Sequence, residues 1–271
     1  MGLHDAALTD AQALKAFRLD GRVAFISAAP GHLGRAMTRA LASAGAHVIV
    51  NARDDEKLAA FEETLRGEGH SVERAAFDVA DIDKVRAFFA SRERLDILVN
   101  NAIAMTPRPF AALEPSDFAA TYASSVTASF EAARAALPAL RRSRDASIVN
   151  IASMYGLVSP DARLYDQPGH QSPFHYGPAK AALLQLTRHL AAELAPGVRV
   201  NSVSPGLVRT ELARHYWESA EQQLASATPM RRLGEPEDIA GAVVWLLSPA
   251  AAWVTGTDLL VDGGRRVAPR R

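Results

Sequence analysis

Short runs of β-branched and aliphatic residues recur at 23–27, 47–51, 72–77, 95–100, 147–151, 198–203 and 258–261, separated by longer Ala-, Leu- and Arg-rich stretches of helical period. Strands that are continuously apolar cannot leave one face in water, so seven of them alternating with helices predict a parallel sheet covered on both sides. The fold class is α/β, a doubly wound seven-stranded parallel sheet. No Pro/Gly/Ser-rich linker or repeat divides the chain, which reads as one domain over 17–271 behind an N-terminal extension, 1–16.

A chain of 271 residues, 48% hydrophobic, buries a real core. Thirty Lys and Arg balance thirty Asp and Glu, which removes the bulk electrostatic case for nucleic acid or an anionic membrane as partner. Cysteine is absent, excluding disulfides, thiolate nucleophiles and Cys-ligated zinc. Eight His include no His-Glu-x-x-His pair, so no metal site is expected. The most apolar stretch, 240–254, is broken by Ser248-Pro249 and is too short to span a bilayer. With no basic-then-apolar leader at the start, the expectation is a cytoplasmic protein with a small-molecule substrate.

The first strand runs into Ser27-Ala28-Ala29-Pro30-Gly31-His32-Leu33-Gly34. Backbone amides at such a strand–turn–helix junction are suited to a pyrophosphate, although an ordinary turn explains Gly31-x-x-Gly34 as well. The second strand ends in Asn51-Ala52-Arg53, with no acid to accept from ribose hydroxyls. The planar fork of Arg53 suits a 2′-phosphate, the plainer alternative being a solvated arginine. Only four of the basic residues are Lys, and one of them stands four residues after Tyr176 in Tyr176-Gly177-Pro178-Ala179-Lys180. On a helix these two share a face. An ammonium beside a phenol favours the phenolate, and Ser153, ending a strand, is placed to bond a substrate oxygen near them.

Together with Asp78-Val79, Leu98-Val99-Asn100-Asn101-Ala102, 204–210, 232–238 and Val261-Asp262-Gly263-Gly264, these residues resemble the classical branch of the short-chain dehydrogenase/reductase family from about 17 to 264. The resemblance implies a Rossmann-type fold, an NADP cofactor with NAD as the alternative, and a homotetramer or homodimer paired through helices over 118–140 and 173–194. It implies that Tyr176 exchanges a proton with the substrate oxygen, that Lys180 lowers the tyrosine pKa and holds the nicotinamide ribose, and that Ser153 orients the substrate. Ser27, Gly31, His32, Leu33 and Gly34 match the phosphate turn, Asp78 and Val79 the adenine pocket, and Asn100 and Ala102 the wall beside the adenosine and ribose. Pro205, Gly206 and Thr210 match the carboxamide side.

The departures are specific. Ala28 and His32 stand where the family has glycine, and a Cβ there restricts positive φ. Ser125 takes the place of the family's catalytic asparagine and Ile103 that of a glycine. Ser153 and Tyr176 lie about ten residues farther apart than usual, the surplus being a Pro-rich insertion, 157–175. Its side chains Asp161, Arg163, Tyr165, Asp166, Gln167, His170 and Gln171 are costly to bury unpaired, so some of them are expected to face a polar substrate or water. This loop looks similar to that of a subgroup of sugar-acid and nucleotide-sugar oxidoreductases. The segment 207–230, with its His215-Tyr216-Trp217 cluster, reads as a substrate lid. The expected activity is interconversion of a secondary alcohol and a ketone on a small or medium polar substrate, sugar-related compounds included; binding without turnover and non-redox acid/base chemistry remain the alternatives.

Overall fold

The computed structural model describes residues 10–164, 172–211, 214 and 220–267. Seven strands form one parallel sheet: β1 (Val23–Ile26), β2 (His47–Ala52), β3 (Val72–Ala76), β4 (Ile97–Asn100), β5 (Ala146–Ile151), β6 (Val198–Pro205) and β7 (Asp258–Val261). Their order is β3-β2-β1-β4-β5-β6-β7. The chain winds outward from β1 in one direction and from β4 in the other, so the crevice between them at the carboxyl edge is the topological switch point, where such sheets bind ligands.

Among the described residues the helices are α1 (Asp10–Lys15), ahead of β1, and then α2 (His32–Ser43), α3 (Asp55–Gly67), α4 (Ile82–Ala90), α5 (Pro115–Tyr122), α6 (Ala128–Leu140), α7 (Tyr176–Leu194), α8 (Glu221–Ser226) and α9 (Pro236–Leu247). Successive strand residues point to opposite faces, and both faces are apolar. Phe25, Leu98, Ile148 and Val200 lie side by side in register and pack with Val85, Phe89, Ala132 and Leu190 from α4, α6 and α7. Their chain neighbours Ile26, Val99 and Val149 turn the other way, onto Met37 and Leu41 of α2 and Val243 and Leu246 of α9.

Two segments differ from the expectation. The helix over 118–140 is interrupted by a π-helical turn, Ala123–Thr127, which gives that stretch one wide turn around Ser125. One short 3₁₀ turn, Met154–Gly156, precedes the insertion and a second, Ala162–Leu164, lies within it, whereas Tyr165, Asp166, Gln167, His170 and Gln171 lie outside the described residues. So does the His215-Tyr216-Trp217 cluster; within 207–230 the structure describes α8 and the stretches around it. No described helix is long and apolar enough to cross a membrane.

The turn after β1 is closely packed. Ala28 holds φ +52°, a left-handed conformation that costs an L-residue about 1–2 kcal/mol. Gly34 lies so close beneath it that a Cβ would stand 2.3 Å from the Ala28 carbonyl oxygen. Ala28→Gly should therefore stabilise the protein by about 0.5–1 kcal/mol after the added freedom of the unfolded chain is subtracted. Gly34→Ala should destabilise it by about 1–3 kcal/mol through overpacking. Urea denaturation checks both, and a loss of stability in Ala28→Gly contradicts the turn geometry.

Candidate active site

Four elements converge at the carboxyl edge. β5 ends at Ile151, and two residues later Ser153 caps the 3₁₀ turn that follows, its hydroxyl accepting the Tyr155 N–H at 3.1 Å. The first residue of α7 is Tyr176, whose hydroxyl hydrogen-bonds with the Ser153 side chain. One turn on, Lys180 is 2% exposed; its Nζ donates to the Ile151 carbonyl at 2.6 Å and lies 5.6 Å from the centre of the Tyr176 ring. Serine, tyrosine and lysine, expected together from the sequence, are therefore brought together.

Their proton affinities follow from burial. Desolvation drives the Lys180 ammonium from its usual 10.5 down to about 7. The Tyr176 ring is partly open to solvent, but protein crowds its hydroxyl and pushes its pKa up, against the pull of the Ser153 hydrogen bond. Burial therefore favours a protonated phenol near neutrality, the form that gives up a proton to an oxygen accepting charge.

Ser125 is 0% exposed within the π turn. Its carbonyl accepts the Ser129 hydroxyl at 2.6 Å, while its own hydroxyl has no partner among the described residues, and an unsatisfied buried hydroxyl is costly.

At the switch point Ser27 braces β1 to β4: its hydroxyl accepts the N–H groups of Asn101 at 2.9 Å and Ala102 at 3.0 Å. The Asn101 side chain donates back to the carbonyls of Ser27 and Ala28, holding the left-handed turn. Beyond it, Gly31 precedes α2 with no side-chain cap and no acid in the first turn. The helices α3, α4, α5 and α9 are capped by Asp54, Asp81, Glu114 and Glu235. The amides of His32, Leu33 and Gly34 and the positive end of the α2 dipole are therefore left for an anion, as a pyrophosphate requires. His32 is drawn partly away: its Nδ1 accepts the Glu211 N–H at 3.0 Å, so the ring's hydrogen sits on Nε2, and burial lowers its pKa.

Arg53, 73% exposed in its side chain, reaches Asp78 at 3.6 Å, and Val79 is buried beside it. Asn100 donates to Asn150 at 2.8 Å, and Asn150 to Thr187 at 2.9 Å, tying the carboxyl ends of β4 and β5 to α7. At the end of β6, Pro205 is buried, and a Cβ on Gly206 would meet the Asp262 Cα at 2.5 Å. Thr210 is partly buried four residues on.

Sequence reasoning missed the supports. His175, fully buried, lies between the Thr121 hydroxyl at 2.9 Å and the Thr106 carbonyl at 3.2 Å, anchoring the residue before Tyr176. Its position next to the reactive tyrosine was the available signal. Asp161 of the insertion is paired rather than free. It pairs with Arg163 at 2.9 Å and Arg265 at 3.5 Å, which hold its pKa down to about 2. Gln223 of α8 donates to the Arg163 carbonyl at 2.6 Å, so the insertion is tied to the 207–230 segment. Arg209 bridges Glu221 and Glu235. A cleft of about 530 Å³ opens between the arms of the insertion and the outer side of α7 at Gly177, Pro178 and Ala181. Among the described residues no group of three or more His, Asp or Glu is disposed to hold a metal.

Comparison with known proteins agrees with this geometry. A family model described as enoyl-(acyl carrier protein) reductase matches residues 28–266. An uncharacterised oxidoreductase of Mycobacterium tuberculosis is 37% identical over 259 residues, covering 93% of this chain and 94% of its own. Human dehydrogenase/reductase SDR family member 4 is 35% identical over 91% of this chain and 88% of its own. Among solved structures, a gluconate 5-dehydrogenase from Burkholderia cenocepacia in complex with NADP and tartrate superposes with TM-score 0.85 at 33% identity, covering 95% of this chain and 100% of that one.

The Lys180 shift sets a pH test. Between about 7 and 10.5 the unfolded chain binds more protons at this lysine than the folded one, so its unfavourable contribution is full below pH 7 and fades as pH rises. Urea midpoints of the protein should therefore gain on Lys180→Met between pH 7 and pH 10. A difference between the two that stays constant with pH contradicts a buried, desolvated ammonium.

Proposed function

The chain belongs to the short-chain dehydrogenase/reductase family of NAD(P)-dependent oxidoreductases, and from that premise we propose that it interconverts a secondary alcohol and a ketone on a small or medium polar substrate, with NADP(H) preferred. The observation that carries the reading is the convergence of Ser153, Tyr176 and Lys180 at one strand end.

When bound, the dinucleotide supplies or accepts a hydride at carbon. The residues that would hold it are the amides of His32, Leu33 and Gly34 behind Gly31, Arg53, Asp78 and Val79, Asn100 and Ala102 beside the braced Ser27, and Pro205, Gly206 and Thr210, with Tyr176 and Lys180 toward the reacting end. Tyr176 gives its hydroxyl proton to the oxygen of a ketone being reduced and takes one back in the reverse direction. Ser153 holds that same oxygen by hydrogen bond. Lys180, fixed by the Ile151 carbonyl, sets the field at the phenol and carries a proton that is half dissociated near neutrality. The described parts of 157–175 and 207–230 would line the substrate mouth.

The preference for NADP(H) is supported by the exposed, loosely paired Arg53 following Ala52. A reading as a dinucleotide- or ligand-binding protein without turnover is favoured by one observation, the unpartnered Ser125 hydroxyl in the asparagine's place. Assembly as a homodimer or homotetramer is supported by Phe118 and Phe130, exposed on α5 and α6, which α7 of a second copy would cover. The cytoplasm is the setting that fits a cysteine-free chain of this kind.

Tyr176→Phe should fold and lower turnover by at least about 100-fold; undiminished turnover refutes the mechanism, and a parent protein that binds NADPH but reduces no ketone in a broad panel supports the binding-only reading. Arg53→Ala should narrow the ratio of kcat/KM for NADPH over NADH by about tenfold or more, the equivalent of one charge-assisted hydrogen bond. A parent enzyme that prefers NADH contradicts the assignment of Arg53. Light scattering at micromolar concentration should give a multiple of the 29.0 kDa chain, and a monomeric mass contradicts the pairing.

A further inference from the structure

Beside the proposed reaction centre lies a second, smaller cavity of about 30 Å³, lined by Met154, Tyr155, Val158, Asp161, Arg265 and Arg266 among others. Met154 and Tyr155 directly follow Ser153, so its wall begins one residue from the serine. The opposite wall is the segment after β7. Water occupies about 10–15 Å³ by this measure, so the cavity takes about two oxygen atoms, the size of a carboxylate head.

Its charges are unequal. Asp161 is the one carboxylate of the lining, which Arg265 and Arg266 also share. Asp161 is already engaged by the nearer guanidinium of Arg163, through Nε and Nη2 at 2.9 Å each, and meets Arg265 only at 3.5 Å. The neighbouring Asp262 carboxylate accepts the backbone N–H groups of Gly264 and Arg266. The Arg265 side chain is only 12% exposed, so its charge is partly desolvated and answered at long range, which leaves it able to gain from a second anion.

We propose that this cavity is a carboxylate subsite, and that the substrate is a short hydroxy acid or keto acid whose carboxylate lies against Arg265 and Arg266 while its reacting oxygen lies at Ser153 and Tyr176. The proposal rests on the reading of Ser153 and Tyr176 as the reaction centre. Asp161 then acts as a placeholder, holding Arg265 in position through an ion pair weak enough to share.

The test uses 4-oxopentanoate and 5-oxohexanoate, each beside its carboxamide, with the full chain, in the presence and absence of NADPH. Calorimetry should show at least one acid binding more tightly than its amide. Arg265→Gln should weaken that acid by about 10- to 100-fold, the range of a hydrogen bond to a charged group, and leave the amide within about twofold. Arg265→Lys should retain most of the preference. Should Arg265→Gln fail to fold, the exposed Arg266→Gln serves in its place and should reduce the same preference. Equal binding of acid and amide by the parent protein, no measurable binding of either, or equal weakening of both in the variants overturns the subsite. Failure of the reaction-centre reading shows separately: Tyr176→Phe would keep its turnover, while the discrimination between acid and amide, which does not use the phenol, would stand.

Discussion

The Lys180 ammonium, buried against the Ile151 carbonyl, is the interaction on which the site is organised. A cation taken out of water has to find a fixed acceptor, and the one it finds is the last carbonyl of β5. That bond locks the first turns of α7 to the end of the strand. Tyr176, one turn earlier on the same face, is thereby delivered to Ser153, two residues beyond Ile151. The chain from Asn100 through Asn150 to Thr187 fixes the same helix to the same strand ends from within. His175 fixes it to the loop after β4. The groups of the candidate site are thus held by buried polar contacts on rigid elements.

The same burial explains why the electrostatics depart from the simplest expectation. A charged lysine beside a phenol lowers the phenol's pKa when both sit in water-like surroundings. In a desolvated pocket both charged forms are disfavoured, and here that effect is the larger for each group. The consequence is a tyrosine ready as a proton donor.

Much of this was legible in the sequence. The seven apolar runs located every strand to within a few residues, because strands buried on both faces have little freedom to be polar. The Tyr176/Lys180 spacing located the site, because an interval of four on a helix fixes a shared face. Ala28 was readable as a liability, and its φ of +52° bears that out. The π turn at Ser125 was not readable, since nothing in Ala-Ser-Ser-Val-Thr distinguishes a wide turn from an ordinary one. The fate of the insertion's charges was hidden for another reason. Asp161 pairs with Arg265 across 104 positions of chain, and local pattern carries no information about such a partner. Exposure is a fair default for a loop aspartate until the tertiary fold adds a distant arginine, Arg265, to its neighbour Arg163.

The most direct test follows the hydrogen. With NADPH carrying deuterium at the transferable position of the nicotinamide, a ketone that the protein accepts should yield an alcohol with one deuterium on the carbinol carbon, as read by mass spectrometry, and a hydroxyl proton that exchanges with water. Deuterium retained entirely in the dinucleotide while the ketone is converted to another product, or released to solvent, would show acid/base chemistry without redox and would contradict the account.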